Sequence, residues 1–263
     1  MDLGLAGKTA IVAASSKGLG KASALALARE GANVTVCARS EGRLEAAAQE
    51  IHEQTGAQVL AVQADLTDAA AIQRVVDSTV ARFGGVDVLV NNSGGPPVGQ
   101  FPDLSDEDWR AGFEVVTLGF VRFTRAVIPH MSAKRWGRIL GIQSSSVKQP
   151  VAGIHLSNGI RPGIAGLMKS LMPELARNGI TINLVLPGSF LTSRIHPDLG
   201  SDDPQVRKTA EEQLAPLAAT IPLGRLGKPI ELGNVVAFLA SEQASYITGA
   251  VYQVDGGIIS SNV

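Results

Sequence analysis

Short apolar runs and helical stretches alternate along almost the whole of this 263-residue chain. The runs are rich in β-branched residues, and the stretches between them repeat their apolar positions with a helical period. Strict alternation of strand and helix predicts parallel strands, because each helix returns the chain across one face of the sheet. The predicted strands are residues 9–13, 33–37, 58–62, 86–90, 138–142, 181–186 and 251–254, and the predicted helices are residues 21–30, 42–54, 69–83, 106–131, 163–178 and 231–241. The pattern therefore predicts an α/β protein in three layers, with a doubly wound parallel sheet of about seven strands.

The length of the chain and the absence of domain-boundary signals favour one domain. A chain of this size can bury one full core, and it contains no repeat, low-complexity tract or interdomain linker. Residues 1–263 are therefore predicted to form a single domain. A polar insertion, residues 193–222, precedes the last long helix, and its Asp202, Asp203 and Pro204 predict a short helix. We expect this insertion to be a substrate lid, the alternative being an ordinary surface excursion.

The composition disfavours several classes of partner. The 23 basic and 24 acidic residues nearly cancel and form no block, so neither nucleic acid nor an anionic membrane is expected as a partner.

No run approaches the ~18 apolar residues of a membrane span, and the N-terminus lacks a signal pattern. No metal site is expected, because the histidines are scattered. The one cysteine, Cys37, lies in an apolar run and is expected to be a buried thiol. These features predict a soluble, cytoplasmic protein.

A turn of small residues joins the first predicted strand to the first predicted helix. It consists of Ala13-Ala14-Ser15-Ser16-Lys17-Gly18-Leu19-Gly20. The first backbone N–H groups of a helix are free to bind a phosphate, and the positive end of the helix dipole favours an anion. The turn therefore predicts a nucleotide site, although a glycine-rich turn alone is weak evidence.

Polar and small residues also follow three later predicted strands. They are Asp65 and Leu66 after the third strand, Asn91, Ser93 and Gly94 after the fourth, and Pro187, Gly188 and Thr192 after the sixth. Open α/β sheets bind ligands at the carboxyl ends of their strands, where the strand order reverses. We therefore expect these residues to line the same site as the glycine-rich turn.

Taken together, these motifs resemble the short-chain dehydrogenase/reductase family, and within it the 3-oxoacyl-(acyl carrier protein) reductase-like members. The resemblance extends from Gly7 to Gly257 and includes the ending Val254-Asp255-Gly256-Gly257. It implies a Rossmann fold and an oxidoreductase with a dinucleotide cofactor. The implied cofactor-binding residues are Ser15, Ser16, Lys17, Gly18, Leu19 and Gly20 in the turn, Asp65, Leu66 and Asn91 beside the adenine, Ser93 and Gly94 in the following loop, and Pro187, Gly188 and Thr192 at the nicotinamide end.

The turn departs from the family pattern at one pair of positions. Ala13 and Ala14 stand where the family generally has Thr-Gly. If the turn requires a positive φ at position 14, the alanine costs on the order of 1 kcal/mol. Such a cost would shift the loop slightly without abolishing phosphate binding.

The charge at the end of the second strand predicts which dinucleotide binds. NAD-preferring sites place a carboxylate there for the ribose 2′-hydroxyl, whereas NADP sites use cations for the 2′-phosphate. Here the strand ends in Arg39 without an acid, and Lys17 adds a second cation in the turn. Arginine can bind a phosphate through two parallel hydrogen bonds. We therefore predict NADP(H), the alternative being that both cations are merely solvated surface groups.

The catalytic positions implied by the resemblance are largely substituted. The family uses a tyrosine as proton donor, a lysine four residues later, a serine that polarises the carbonyl, and an asparagine that supports a proton relay. The matching positions hold Ser157, Arg161, Ser144 and Val116, respectively. The chain has only two tyrosines, Tyr246 and Tyr252, and both lie in its closing segment. No tyrosine is therefore available near the expected site.

The substituted residues retain part of the chemistry. Arg161 keeps a positive charge that can hold the nicotinamide ribose, but its very high intrinsic pKa removes it from a proton relay. Ser157 can donate a hydrogen bond but is not a useful acid at neutral pH. Losing a general acid costs ~10²–10⁴ in rate, whereas hydride transfer belongs to the cofactor. His155 is a candidate proton donor, although a structural role is the more common one for a loop histidine. We predict Ser144, Ser157 and Arg161 as the catalytic residues.

Three functions remain open from the sequence. The leading one is an NADP(H)-dependent oxidoreductase that reduces a small-molecule or acyl-thioester carbonyl, such as a 3-oxoacyl group, with an atypical site. The alternative is a non-catalytic NADPH-binding pseudoenzyme or sensor. A third is dehydration or isomerisation on the same scaffold, without net redox change.

The long helices predicted at residues 106–131 and 163–178 resemble those through which relatives form dimers and tetramers. We therefore expect a homodimer or homotetramer. Light scattering at micromolar concentration should give the mass of two or four chains, and a monomeric mass would contradict this expectation.

Overall fold

Seven parallel strands form one sheet in the computed structural model, which describes residues 1–261. The strands are β1 (Thr9–Ala13), β2 (Asn33–Ala38), β3 (Val59–Gln63), β4 (Val88–Asn91), β5 (Gly137–Ile142), β6 (Ile180–Pro187) and β7 (Val251–Val254). Their order across the sheet is β3-β2-β1-β4-β5-β6-β7, and every pairing is parallel. The order reverses between β1 and β4, where an open sheet leaves a crevice. The predicted doubly wound α/β fold is confirmed.

Helices cover both faces of the sheet. They are α1 (Gly18–Arg29), α2 (Glu41–Thr55), α3 (Ala69–Phe83), α4 (Asp106–Phe113), α5 (Gly119–Lys134), α6 (His155–Arg177), α7 (Pro204–Gln213), α8 (Ala215–Ala218) and α9 (Pro229–Ala240). No helix within residues 1–261 combines the length and the apolar character needed to cross a bilayer.

Alternate residues of each strand supply two separate cores. On one face Ile11 and Leu89 pack with apolar residues of α3, α5 and α6, such as Phe120. On the other face their neighbours Val12 and Val90 pack with apolar residues of α1, α2 and α9. Successive side chains of a strand point to opposite faces, so a strand covered on both sides must be apolar throughout. This requirement explains the continuous apolar runs in the sequence.

Two helices differ most from their predicted bounds. The predicted helix 106–131 is divided by a π-helical turn, Glu114–Leu118, which contains consecutive β-branched residues. Helix α6 begins at His155 rather than at residue 163, although it contains Pro162. Leu156, Ile160 and Ile164 are buried at a spacing of four residues, so packing stabilises the helix through the proline.

The insertion at residues 193–222 is partly helical. It contains a 3₁₀ turn, Pro197–Gly200, followed by α7 and α8. The backbone N–H of Gln205 donates to Asp203 Oδ1 at 2.8 Å, so Asp203 caps α7 as the sequence predicts. Leu214 and Ile221 of the insertion form a small apolar cluster with Leu226, which follows it. Its movement as a lid stays a prediction, as does the single-domain organisation.

The turn between β1 and α1 contains a strained alanine. Ala14 has φ +49°, in the left-handed region that costs an L-residue about 1 kcal/mol relative to glycine. Gly20 packs directly against the carbonyl of Ala14. A Cβ atom at position 20 would overlap the Ala14 carbonyl oxygen and lie 2.9 Å from Asn92 Nδ2. The positive φ at position 14, on which the expected cost of the alanine depends, is thus present.

Replacing Ala14 by glycine should raise the free energy of unfolding by about 1 kcal/mol, because glycine adopts positive φ without strain. The matched control is Ala46→Gly on the exposed face of α2, which should lower it by roughly 0.5–1 kcal/mol. Urea denaturation measures both changes. Destabilisation by both variants would show that the turn carries no strain.

Candidate functional site

Three of the predicted motifs meet at the edge where the strand order reverses. In the loop after β6, Thr192 approaches α1: its Cγ2 would lie 3.6 Å from a Cβ atom on Gly18. After β4, Asn92 Nδ2 donates to the Ala14 carbonyl at 3.4 Å. The same β4 loop meets the insertion, where Arg194 Nη1 donates to the Gly94 carbonyl at 2.8 Å. The structure therefore brings the glycine-rich turn and the loops after β4 and β6 into one cleft.

The start of α1 fits a phosphate group. Lys17 precedes the helix in extended conformation, no side chain caps the helix, and its first turn contains no acid. Its first N–H groups are therefore available to an anion, which the helix dipole also favours. Gly18 begins the helix with φ +59°. These features match what the diphosphate of a dinucleotide requires.

Ser15 has a bracing role in the turn. Its hydroxyl donates to the Val12 carbonyl at 2.7 Å and accepts from the Cys37 N–H at 3.0 Å. Its own N–H donates to the Cys37 carbonyl at 3.1 Å. These bonds hold the turn against β2, so Ser15 shapes the site rather than offering donors to a ligand. Burial raises the pKa of the Cys37 thiol to about 12, in agreement with the expected buried thiol.

Cations line the end of β2. Arg39 follows β2 and is exposed, and Lys17 is exposed in the turn before α1; their binding of a 2′-phosphate stays a prediction. Arg43, in the first turn of α2, is a third cation, and its Nε donates to Ser40 Oγ at 3.3 Å. Sequence reasoning missed Arg43, although its position four residues after Arg39 places it near the same strand end.

Asp65 and Leu66 shape the neighbouring loop after β3. Asp65 Oδ1 accepts from the N–H and the hydroxyl of Thr67 at 3.0 and 2.9 Å. The Thr67 N–H does most to lower the pKa of Asp65, and the Thr67 hydroxyl and the charge of Arg39 lower it further. Asp65 is therefore ionised and fixes a tight turn. Leu66 is buried in the core below it.

The remaining predicted cofactor residues lie around the middle of the cleft. Asn91 is buried, and its Nδ2 donates to the Phe120 carbonyl at 3.0 Å, which ties β4 to α5. The N–H of Gly188 donates to the Val254 carbonyl at 3.0 Å, which fixes the loop that begins at Pro187. Ser16 and Ser93 are half-buried. Among residues 1–261 no group of three or more histidine, cysteine or acidic side chains is arranged to hold a metal ion.

Known proteins are similar to this chain in sequence and in architecture. Residues 13–259 match the family described as enoyl-(acyl carrier protein) reductase. The 3-oxoacyl-[acyl-carrier-protein] reductase of Escherichia coli strain K12 is 37% identical over 252 residues, which are 96% of this chain and 97% of that protein. The chain belongs to the short-chain dehydrogenase/reductase family. The 3-oxoacyl-[acyl-carrier-protein] reductase of Thermotoga maritima is 33% identical over 97% of this chain and 99% of its own length.

Solved structures extend the comparison. L-sorbose reductase from Gluconobacter frateurii, determined with NADPH and L-sorbose, superposes with a TM-score of 0.90 at 33% identity. The match covers 99% of this chain and 100% of that one. YwfH, an NADPH-dependent reductase, superposes with a TM-score of 0.87 at 30% identity over 97% and 99% of the two chains. The resemblance inferred from the motifs is confirmed.

The residues that the resemblance assigns to the catalytic tetrad, Ser144, Ser157, Arg161 and Val116, have the following surroundings in the structure. Ser144 Oγ accepts from the Ser146 N–H at 3.2 Å and so caps the 3₁₀ turn Ser145–Val147. Ser157 is buried at the tyrosine position, and its hydroxyl lies 3.0 Å from Ser146 Oγ. Ser157 therefore pairs with Ser146, which sequence reasoning missed although it belongs to the run Ser144-Ser145-Ser146. Val116 is buried in the π-helical turn.

His155 and Arg161 flank Ser157 on α6. The His155 ring packs edge-on against Phe101, with 6.0 Å between ring centroids. Its role as proton donor stays a prediction. Arg161 is only 6% exposed, and its Nη1 donates to Gln143 Oε1 at 3.0 Å. Burial, and to a smaller extent the nearby charge of Arg194, lower the pKa of Arg161 to about 10. Arginine therefore remains charged at neutral pH at the lysine position.

Proposed function

We propose that this chain is an NADP(H)-dependent oxidoreductase that reduces a carbonyl group of a small-molecule or acyl-thioester substrate. The observation that carries the proposal is the uncapped start of α1, which opens into a cleft shared with Gly94 and Thr192. Exposed Lys17 and Arg39 favour a 2′-phosphorylated dinucleotide over NADH. Relatives that are 3-oxoacyl and L-sorbose reductases support carbonyl reduction.

Each end of the proposed cofactor has its own set of residues. The N–H groups of Gly18, Leu19 and Gly20 would bind the diphosphate, and Lys17 and Arg39 the 2′-phosphate. Asp65, Leu66 and Asn91 would border the adenine, as the family resemblance implies. Ser16, Ser93, Gly94, Pro187, Gly188 and Thr192 would surround the ribose and nicotinamide, with Arg161 beside them. The bound cofactor supplies the hydride for the carbonyl carbon.

The chain must supply the other half of the reaction, a proton for the carbonyl oxygen. Ser144 would polarise the carbonyl through its hydroxyl. The Ser157 and Ser146 hydroxyls, 3.0 Å apart, would relay a proton from water to the oxygen without acting as acids themselves. His155, two residues before Ser157, is the nearest imidazole in sequence that could feed this pair.

A second candidate function is binding of NADPH without turnover, as a sensor. The observation that favours it is the absence of a tyrosine at the site: Tyr246 is fully exposed and Tyr252 lies on β7. Binding of the cofactor with no oxidation by any carbonyl substrate would select this function. Product formation without a change in nicotinamide absorbance would instead select dehydration or isomerisation.

Calorimetry should show tighter binding of NADPH than of NADH. Replacing Arg39 by glutamine should weaken NADPH binding about tenfold or more, because a charged hydrogen bond to the 2′-phosphate is lost, and should leave NADH binding unchanged. Arg29→Gln, at the far end of α1, is the matched control and should change neither affinity. No association with NADPH, or a clear preference for NADH, would contradict the assignment.

Oxidation of NADPH with a panel of aldehydes, ketones and acyl thioesters tests turnover. Removing the Ser144 hydroxyl should lower kcat ~10²-fold, because one donor to the developing oxyanion is lost. Replacing His155 by alanine should also lower kcat if it feeds the serine pair. Ser170→Ala, at an exposed position of α6, should have no effect. An activity indifferent to the Ser144 and His155 replacements would remove both from the mechanism.

A further inference from the structure

Arg161 is a buried cation without a carboxylate partner. Within residues 1–261 no acidic oxygen forms an ion pair with it, and its one hydrogen-bond acceptor is the neutral Gln143 side chain. Its Nε is buried with no hydrogen-bond partner. Buried charges are normally paired, because removing an ion from water is costly. An anionic group of a ligand would pair with this charge.

Arg138 shows how this protein satisfies a buried arginine elsewhere. It is only 2% exposed, and its Nη2 lies 3.5 Å from Glu242 Oε2. Its guanidinium also lies 4.2 Å from the centre of the Trp136 ring. A neighbouring acid and an aromatic face thus accompany Arg138, whereas Arg161 has neither among residues 1–261.

A second arginine, from the insertion, lies close to Arg161. Arg194, at the start of the insertion, donates from Nη1 to the Gly94 carbonyl and from Nη2 to the Pro96 carbonyl at 3.5 Å. A Cβ atom on Gly95 would lie 2.9 Å from Arg194 Nη2 and 3.5 Å from Arg161 Nη2. The two guanidinium groups therefore flank Gly95, and in residues 1–261 neither forms an ion pair.

We propose that Arg161 and Arg194 together bind a carboxylate of the substrate. Arg161 contacts Gln143, the neighbour in sequence of Ser144, so the anion would lie close to the carbonyl that Ser144 polarises. The substrate class is therefore a small oxo acid, with its carbonyl and carboxylate a few bonds apart, rather than a long acyl thioester. This inference deepens the proposed function and rests on it.

The dinucleotide is the other possible source of an anion. Its phosphates already have the uncapped start of α1, with Lys17 and Arg39, as partners. A substrate carboxylate would leave these groups to the cofactor and neutralise the arginine pair. If the anion comes from the substrate, variants of the arginine pair should lose affinity for the acid; if it comes from the dinucleotide, they should lose affinity for NADPH.

The test uses the full chain saturated with NADP⁺ and calorimetric titration with pyruvate, acetoacetate and levulinate, each against its uncharged amide. At least one acid should bind ten or more times more tightly than its amide and should raise the melting temperature. The same titrations without NADP⁺ test carboxylate binding by the arginine pair independently of the proposed NADP(H) binding. Acid-selective binding there supports the arginine site even if NADPH does not bind.

Variants assign the effect to the arginine pair. Arg161→Gln and Arg194→Gln should each weaken binding of the acid ~10- to 100-fold and leave its amide unaffected. Arg161→Gln should also melt no lower than the unaltered protein without ligand, because it removes an unpaired buried charge. Arg82→Gln, an exposed arginine on α3 that bonds Gln58, is the matched control and should bind the acid normally.

Several results would overturn the inference. One is equal binding, or no binding, of all three acids and their amides. Another is acid-selective binding that survives both arginine replacements. A third is loss of NADPH affinity in both variants with no change in acid binding, which would assign the pair to the cofactor phosphates.

Discussion

The close approach of the Ala14 carbonyl to Gly20 is the contact on which the site depends. It sets the angle at which α1 leaves β1, and so directs the free N–H groups of the helix toward the crevice between β1 and β4. Asn92, from the end of β4, donates to the same carbonyl and ties the two sides of the crevice together. Any side chain larger than hydrogen at position 20 would push the helix away from this position. The cleft therefore exists because a turn, a helix and a neighbouring strand share one carbonyl oxygen.

This geometry explains why strain is retained at Ala14. The left-handed conformation there costs about 1 kcal/mol, yet it turns the carbonyl toward Gly20 and Asn92. Ser15 stabilises the turn from the other side, because its N–H and hydroxyl form hydrogen bonds with Val12 of β1 and Cys37 of β2. The turn is thus fixed by its own backbone and by the side chains of Ser15 and Asn92, and the first N–H groups of α1 remain available for a ligand.

Local patterns predicted the fold well and long-range contacts poorly. Each strand was placed within two residues at either end, because apolar runs covered on both faces are conspicuous in the sequence. The start of α6 lies eight residues before the predicted residue 163, because buried Leu156 and Ile160 stabilise the helix although Pro162 disfavours it locally. The π-helical turn Glu114–Leu118 was missed because its effect on an apolar period is small.

The same limit applies to the site. Gly18, Asn91 and Thr192 belong to motifs with fixed places at strand ends, so their positions were predictable. The contact between Arg194 and Gly94 joins residues 100 positions apart. Residues so far apart are brought together by the path of the insertion, which no local pattern encodes. Ser146 was missed for a different reason, since three consecutive serines offer no spacing that distinguishes one from another.

The substitutions at the tetrad are consistent with one another in physical terms. In the family, the lysine lowers the pKa of the tyrosine, so the catalytic role of the lysine requires the tyrosine. With Ser157 at the tyrosine position there is no phenol to activate, and a group that can lose its proton has no advantage. Arginine at position 161 stays charged even when buried and offers a planar set of donors, which suits a carboxylate better than a proton relay. Arg194 adds a second set of donors from the insertion. The proposed site thus exchanges acid catalysis at these positions for recognition of an anion, and leaves the proton to the hydroxyl pair of Ser146 and Ser157.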